Sequence, residues 1–484
     1  MNRSHAMSTP CALAGRRASA AVVSFAMLGL LAACSPDNIL GNAKLPPDVI
    51  DPGRLHNAEG ALAAYRSASD LLRKGLNLHV RAAGLLSDEL TTASLTKSAA
   101  TGPDWYEYLD GRHADHLQTS PLLPYTTLNR TRGQVRQALG MLREYAPQSS
   151  PALQGHLYAI DGYAKVMLSE LYCSSIPLSE LVYKGDYRLE GGSTTAQVLE
   201  RALASFDTAA VISADSARFH DFARVGRGRA LLGLGRYAEA AAAVAAVPTG
   251  YTYAVQYPPD SLRNFFSSTA GQLDGMSMFN YETNYNISDR EGFNGLPFRT
   301  SGDPRTPVVL HSVHSTYGPQ YRPVKYNTQG TTPIVLASGV EARLIEAEAA
   351  LAAGGDWLGI LNALRTNGTF TMRPNAADPA VTDTMWNAGI GAVAGLAPLV
   401  DPGTPGARVD LLFRERASWL HLTGHRLGDL RRLVRQYGRS PDAVFPVGSY
   451  MSGLQLYGTS VSLPVPLTET RYNPHYTGCL SEEA

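Results

Sequence analysis

The densest candidate chemistry in this 484-residue chain lies near its C-terminus: Glu415, Arg416, Arg426, Asp429, Arg431 and Arg432, on two helical segments joined at Gly424. A catalytic reading pairs Glu415 with Asp429, since two carboxylates flanking a bond are the machinery of glycoside hydrolysis. The four arginines argue against it. Guanidinium groups so near keep carboxylates ionised, which suits ion pairs and removes the proton that a general acid must carry. The cluster reads instead as a structural network, with Glu415, Arg416, Arg426 and Asp429 tying the last helix pair to its neighbours. Gly226-Arg227-Gly228 lacks the third glycine and the preceding strand of a phosphate loop. The sequence has no zinc-protease motif, no nucleophile elbow and no Cys/His spacing suited to a metal. Neither a catalytic set nor a cofactor is expected.

Thiol chemistry is better defined. After Arg16 and Arg17, an apolar run from Ala18 to Leu30 leads into Leu31-Ala32-Ala33-Cys34 and then the turn-prone Ser35-Pro36-Asp37-Asn38. The run is shorter than the roughly 20 residues that span a bilayer, so it reads as the h-region of a cleaved signal. Small residues before a cysteine form a bacterial lipobox. Residues 1–33 are then a signal peptide, Cys34 is the lipidated first residue of the mature protein, and 34–50 form a tether outside the cytoplasm. An ordinary signal peptide with a chance cysteine is the plainer alternative. Of the four cysteines, Cys11 leaves with the signal and Cys34 takes the lipid, leaving Cys173 and Cys479. Outside the cytoplasm two leftover thiols suggest a disulfide, with two buried free thiols as the other possibility.

Composition narrows the partners. Hydrophobic residues make up 44% of the chain and charged residues 17%, which is globular, and 42 basic side chains balance 42 acidic ones, so no net field attracts nucleic acid. Tyrosine outnumbers phenylalanine 24 to 12, and tyrosine tolerates a wet surface.

Helical periodicity places these residues on a mostly α framework. Ile160, Ala164, Met167, Leu168 and Leu171 recur at three- and four-residue steps before Pro177. Thr194 and Gln197 form a capping box ahead of Val198, Leu199, Ala202, Leu203 and Phe206. A turn at Gly235-Arg236-Tyr237 separates a helix starting near Ala217 from the alanine-rich 238–247, and Gly354-Gly355 separates 340–351 from 356–365. Stacked tetratricopeptide-type helix pairs are expected over about 150–247, 340–366 and 409–434, within a single domain spanning 51–484. The largest interruption, about 248–335, is rich in Gly, Pro and Asn and has no sustained period. It carries Phe265, Phe266, Phe279, Tyr281, Tyr285, Phe293, Tyr317, Tyr321 and Tyr326. A loop-rich segment this long is functional or disordered, and its aromatics speak against disorder.

Several motifs in order resemble the SusD/RagB family of outer-membrane nutrient-binding lipoproteins. They are Glu170-Leu171-Tyr172 with Ile176-Pro177-Leu178; Glu346-Ala347-Glu348-Ala349 followed by Ile360-Leu361-Asn362-Ala363-Leu364-Arg365; Glu415-Arg416, Gly424-His425-Arg426 and Asp429-Leu430-Arg431-Arg432; and Leu463-Pro464-Val465-Pro466 with Glu469 and Asn473-Pro474. The chain departs from the family at Cys173-Ser174-Ser175, Trp419, Thr423 and Leu427, which marks a divergent branch. The resemblance implies a SusD-like fold, a lipid-anchored place on the outer membrane facing outward, and no catalysis. It also implies a TonB-dependent, SusC-like transporter as partner and an oligosaccharide or peptide nutrient as ligand.

No shared motif hands over a ligand site. Flat aromatics outside the helical stripes are the expected contacts: Trp105 and Tyr106 from a short early segment, Tyr281 and Tyr285 from the interruption. Two other readings stay open, a tetratricopeptide-type scaffold that binds protein only and a lipid-anchored glycan-processing enzyme. Solvent exposure of Trp105, Tyr281 and Tyr285 separates the scaffold from the nutrient-binding reading.

Overall fold

Asn57 starts the first helix by accepting the Gly60 amide on its side chain at 2.9 Å, satisfying one of the donors that a helix start leaves open. Helix α1 (Ala58–Leu86) then buries Ala61, Ala68, Leu72, Leu76 and Val80 along one stripe. The computed structural model describes residues 55–92, 105–114, 122–258, 266, 279–280, 283–314, 318–326, 330–366, 396–450 and 455–480. Cys34 and the signal lie outside them. All the elements described belong to one unit, Asn57–Ala484.

Helices α2 (Trp105–Asp110), α3 (Leu122–Tyr145) and α4 (Pro151–Leu171) follow, then α5 (Thr195–Ile212), α6 (Ala217–Gly233), α7 (Tyr237–Val244), α8 (Gly339–Ala353) and α9 (Trp357–Thr366). From α3 to α9 each helix packs on the next, and α1 lies along α3 and α4. The capping box at Thr194 is formed by both of its hydrogen bonds. Gly235 and Gly354 turn the chain at φ of 71° and 69°, a region that side chains with a Cβ seldom enter. Gly226 belongs to α6, and a Cβ there would stand 2.4 Å from the Phe206 ring. The Gly226-Arg227-Gly228 run thus serves close helix packing.

The last pair is split. Helix α10 (Pro405–Trp419) packs on α8, whereas α11 (Arg426–Tyr437) packs on α1 and α4, so the charged residues between them bridge distant parts of the array. After the short α12 (Pro441–Val444) and before α13 (Leu467–Tyr472), the tail is stitched to the end of α4: Leu463 donates to Leu171 O at 2.7 Å and Cys173 donates to Leu463 O at 2.9 Å.

The interruption holds strands that its sequence does not announce. In chain order the strands are β1 (Leu90–Thr92), β2 (Ile176–Pro177), β3 (Glu180–Leu181), β4 (Tyr187–Arg188), β5 (Gly192–Ser193), β6 (Thr252–Val255), β7 (Phe279–Asn280), β8 (Thr283–Ile287), β9 (Val308–His314), β10 (Gly318–Pro323), β11 (Ile334–Ser338), β12 (Ser449–Tyr450) and β13 (Gln455–Leu456). All pair antiparallel: β8 with β1 and β7, β9 with β10, β6 with β11 and β12 with β13. Over 248–335 these short strands are set in a segment that stays loop-rich. The strands are short, and β6 and β11 are far apart in sequence, so no local period reveals them. Among the described residues no helix is long and apolar enough to cross a membrane.

Candidate functional site

The charged cluster resolves into three separate knots. Arg416 grips Asp429 with two bonds of 2.8 and 2.9 Å, and Arg432 adds a third at 2.9 Å. Burial opposes the charged form of Asp429, but Arg416 and Arg432 outweigh it and hold its pKa below the ordinary carboxylate range. Arg432 also pairs with the fully buried Glu348 of α8. Glu415 sits elsewhere, clamped by Arg305 at 2.6 Å and Arg365 at 2.7 Å. Arg426 turns to Asp88 beyond the end of α1, at 2.6 and 2.9 Å. Arg431 donates to the carbonyls of Ser169, Glu170 and Tyr172 and so closes the C-terminus of α4. Glu415 and Asp429 are thus held by different arginines and do not form a carboxylate pair.

Cys173 and Cys479 are joined as a disulfide, with Cα atoms 5.9 Å apart, and the bond lies beside the stitching at Leu463.

The aromatic expectations fare unevenly. Tyr285 is fully buried on β8, opposite Thr92 of β1, and offers no face to a ligand. That expectation is corrected: pairing of β8 with β1 carries the ring inside. Tyr281 lies outside the described residues. Trp105 and Tyr106 open α2, with side chains outside the described set.

One ring stands out instead. Phe293 is 83% exposed, alone in being so open among the aromatics of 248–335 whose side chains are described. Its amide donates to Val447 O at 3.2 Å, and its ring rests against Gly448, where a Cβ would come within 2.3 Å of it. Gly448 takes φ of 90°, which also favours glycine. Asn294 next door donates to the carbonyls of Asp442 and Phe445 at 3.0 and 2.8 Å. The ring is a fixed apolar platform facing solvent. Nothing in its spacing separates Phe293 from the twelve other aromatics of the interruption, because its exposure depends on which loops fail to cover it.

A buried pin lies close by in the chain. Asp110, at the end of α2, accepts from Thr91, Thr92 and Tyr450. Glu291 accepts from Tyr457 at 2.8 Å. The two carboxyls interact directly, and Asp110 Oδ1 and Glu291 Oε2 have no donor among the described residues. One proton shared between them would satisfy both. Burial raises both pKa values, and the neighbouring carboxyl of Asp110 pushes Glu291 further, well above the ordinary range. This pin couples α2, which carries Trp105 and Tyr106, to the loop that carries Phe293 and to the β12–β13 hairpin. It is sealed, with Asp110 at 0% and Glu291 at 7% exposure, so it cannot meet a substrate as a catalytic pair must.

A pH dependence follows. A carboxyl whose folded pKa exceeds its unfolded value stabilises fully below the unfolded value, about 4, and loses that contribution as pH rises through the folded one. Stability of the wild type is expected to fall across that window, and Glu291→Gln, which keeps a donor and no charge, should flatten the fall. Thermal unfolding of both proteins over a pH series checks it. Parallel curves would count against the shared proton.

No family model matches this sequence, and no curated protein does. Solved structures do match it. A SusD superfamily protein from Bacteroides vulgatus aligns over 88% of this chain and 99% of its own at 14% identity and TM-score 0.59. One from Bacteroides thetaiotaomicron aligns over 88% and 100% at 13% identity and TM-score 0.57. Surface glycan-binding protein A from Bacteroides uniformis aligns over 87% and 99% at 15% identity and TM-score 0.59. The chain therefore has a mostly helical, SusD-like fold.

Proposed function

We propose that the protein is a surface nutrient-binding lipoprotein that captures a glycan on its loop face and serves as the lid of a TonB-dependent outer-membrane transporter. The observation that carries the reading is the correspondence with SusD superfamily structures over 88% of the chain. A SusD-like carbohydrate-binding protein and a laminarin-binding SusD-like protein share the fold at 14% and 13% identity. The lipobox at Cys34 supports attachment through lipid, outside the cytoplasm.

The physical features suit binding without catalysis. Asp429 and Glu415 are neutralised by arginines, and the Asp110–Glu291 pair is sealed. The platform of Phe293 matches the apolar C–H face of a sugar ring, and a rigid helix array is what a lid needs in order to move as one piece. The burial of Tyr285 is the one observation favouring the protein-only scaffold, and the open ring of Phe293 weighs against it.

A glycan panel tests the reading. Phe293→Ala should weaken the best-bound glycan by about 1–3 kcal/mol, the scale of a truncated aromatic anchor, and leave the melting temperature nearly unchanged. Undiminished affinity in a folded variant would remove Phe293 from the site, and no glycan bound at all would overturn glycan capture.

A further inference from the structure

A second opening lies between the Leu296–Thr306 segment, the end of α9 and one face of α10. It is a cavity of about 240 Å³. Three arginines and two carboxylates line it, and their pairing is uneven. Arg305 binds Asp303 and Glu415; Arg365 binds Glu415 and the carbonyl of Ala397. Both carboxylates are thereby used. The third guanidinium, Arg414, is exposed and has no hydrogen bond or ion pair among the described residues.

The site therefore carries one unspent positive charge in a fork that matches a carboxylate with two parallel N–H···O bonds. Leu296, Pro297, Phe298 and Leu399 give the cavity an apolar wall, and the Ser418 hydroxyl lies in the same lining. The volume falls just under the range of about 300–1,000 Å³ that holds drug-sized ligands, so it suits one ring of a chain. An apolar wall, a hydroxyl and a lone guanidinium are complementary to a sugar ring bearing a carboxylate.

We infer that this cavity binds the carboxylate of an acidic sugar residue through Arg414, making the protein selective for uronic-acid-type glycans. The inference rests on the glycan-binding reading above and adds the ligand's charge. Arg305 and Arg365 act here as positioning residues: by neutralising Asp303 and Glu415 they remove the negative field that would repel an anion.

The test uses the detergent-solubilised full chain, titrated with trigalacturonic acid and with its neutral methyl ester. The acid is expected to bind about tenfold or more tightly than the ester, the scale of a charge-assisted hydrogen bond, and the preference should shrink as salt rises. Arg414→Ala should abolish the preference without moving the melting temperature. Arg414→Lys should keep part of it, losing the two-pronged geometry. Equal binding of acid and ester, or a preference that survives Arg414→Ala, would overturn the inference. If neither galacturonide binds but a neutral glycan binds in a manner sensitive to Phe293→Ala, the acidic preference fails while glycan capture stands. If no glycan binds, both fail.

Discussion

Asp429→Ala is expected to lower the unfolding free energy by about 3–5 kcal/mol, the cost of stranding buried charge. Two guanidinium groups lose their partner at once: Arg416 its two-bond grip and Arg432 one of its two acidic partners. Arg416 and Arg432 are buried, at 3% and 5% exposure, so water cannot replace the carboxylate without opening the seam. The seam matters because α10 packs on α8 while α11 packs on α1 and α4, and the Arg416–Asp429 bond joins them beside the contact of Phe413 with Tyr437 and Arg432. Because the folded pKa of Asp429 is depressed, its contribution is present above the ordinary carboxylate pKa of about 4 and is lost as pH falls through the folded value. Denaturant unfolding of the variant checks the size of the effect. A variant as stable as the wild type that had lost a measurable hydrolytic activity would restore the catalytic reading of this carboxylate.

Removing the Cys173–Cys479 bond should cost about 2–5 kcal/mol, the usual range for a native disulfide. The bond closes a loop with a sequence separation of 306, so most of the loss arises in the unfolded chain, which gains freedom when the link is cut. Locally the effect should be small and confined. Leu463 stays tied to Leu171 and Cys173 through the backbone, and Asn473 donates to Glu190 O at 2.8 Å, so only the last residues of the tail are released. A Cys173→Ser/Cys479→Ser variant is expected to fold, to unfold at lower denaturant, and to exchange amide protons faster around 476–480. Two alkylatable thiols in the native, unreduced protein would contradict the pairing.

The parts of the fold legible in the sequence are those written locally. The Thr194 capping box, the glycine turns at Gly235 and Gly354 and the stripe from Ile160 to Leu171 each report on a few neighbouring residues, and each corresponds to a helix boundary or face in the structure. What was not legible is set by remote pairing. Strand β6 meets β11 across the whole interruption, Arg426 finds Asp88 at the far end of the chain, and Arg305 finds Glu415 across 110 residues. The site follows the same division. A tyrosine such as Tyr285 and a phenylalanine such as Phe293 look alike in a loop-rich sequence. Strand pairing buries the first, and a glycine turn from another loop seats the second with one face open. The Asp110–Glu291 pin is equally invisible, because its two carboxyls are separated by most of the helix array.

The most direct measurement of the proposed role is isolation of the full chain from its own outer membrane by a C-terminal tag, followed by identification of what stays bound in detergent. A TonB-dependent barrel recovered in equal amount, and lost when Cys34→Ala prevents lipid attachment, is the predicted result. Recovery of the lipidated chain with no such barrel, or with soluble protein partners alone, would contradict the lid.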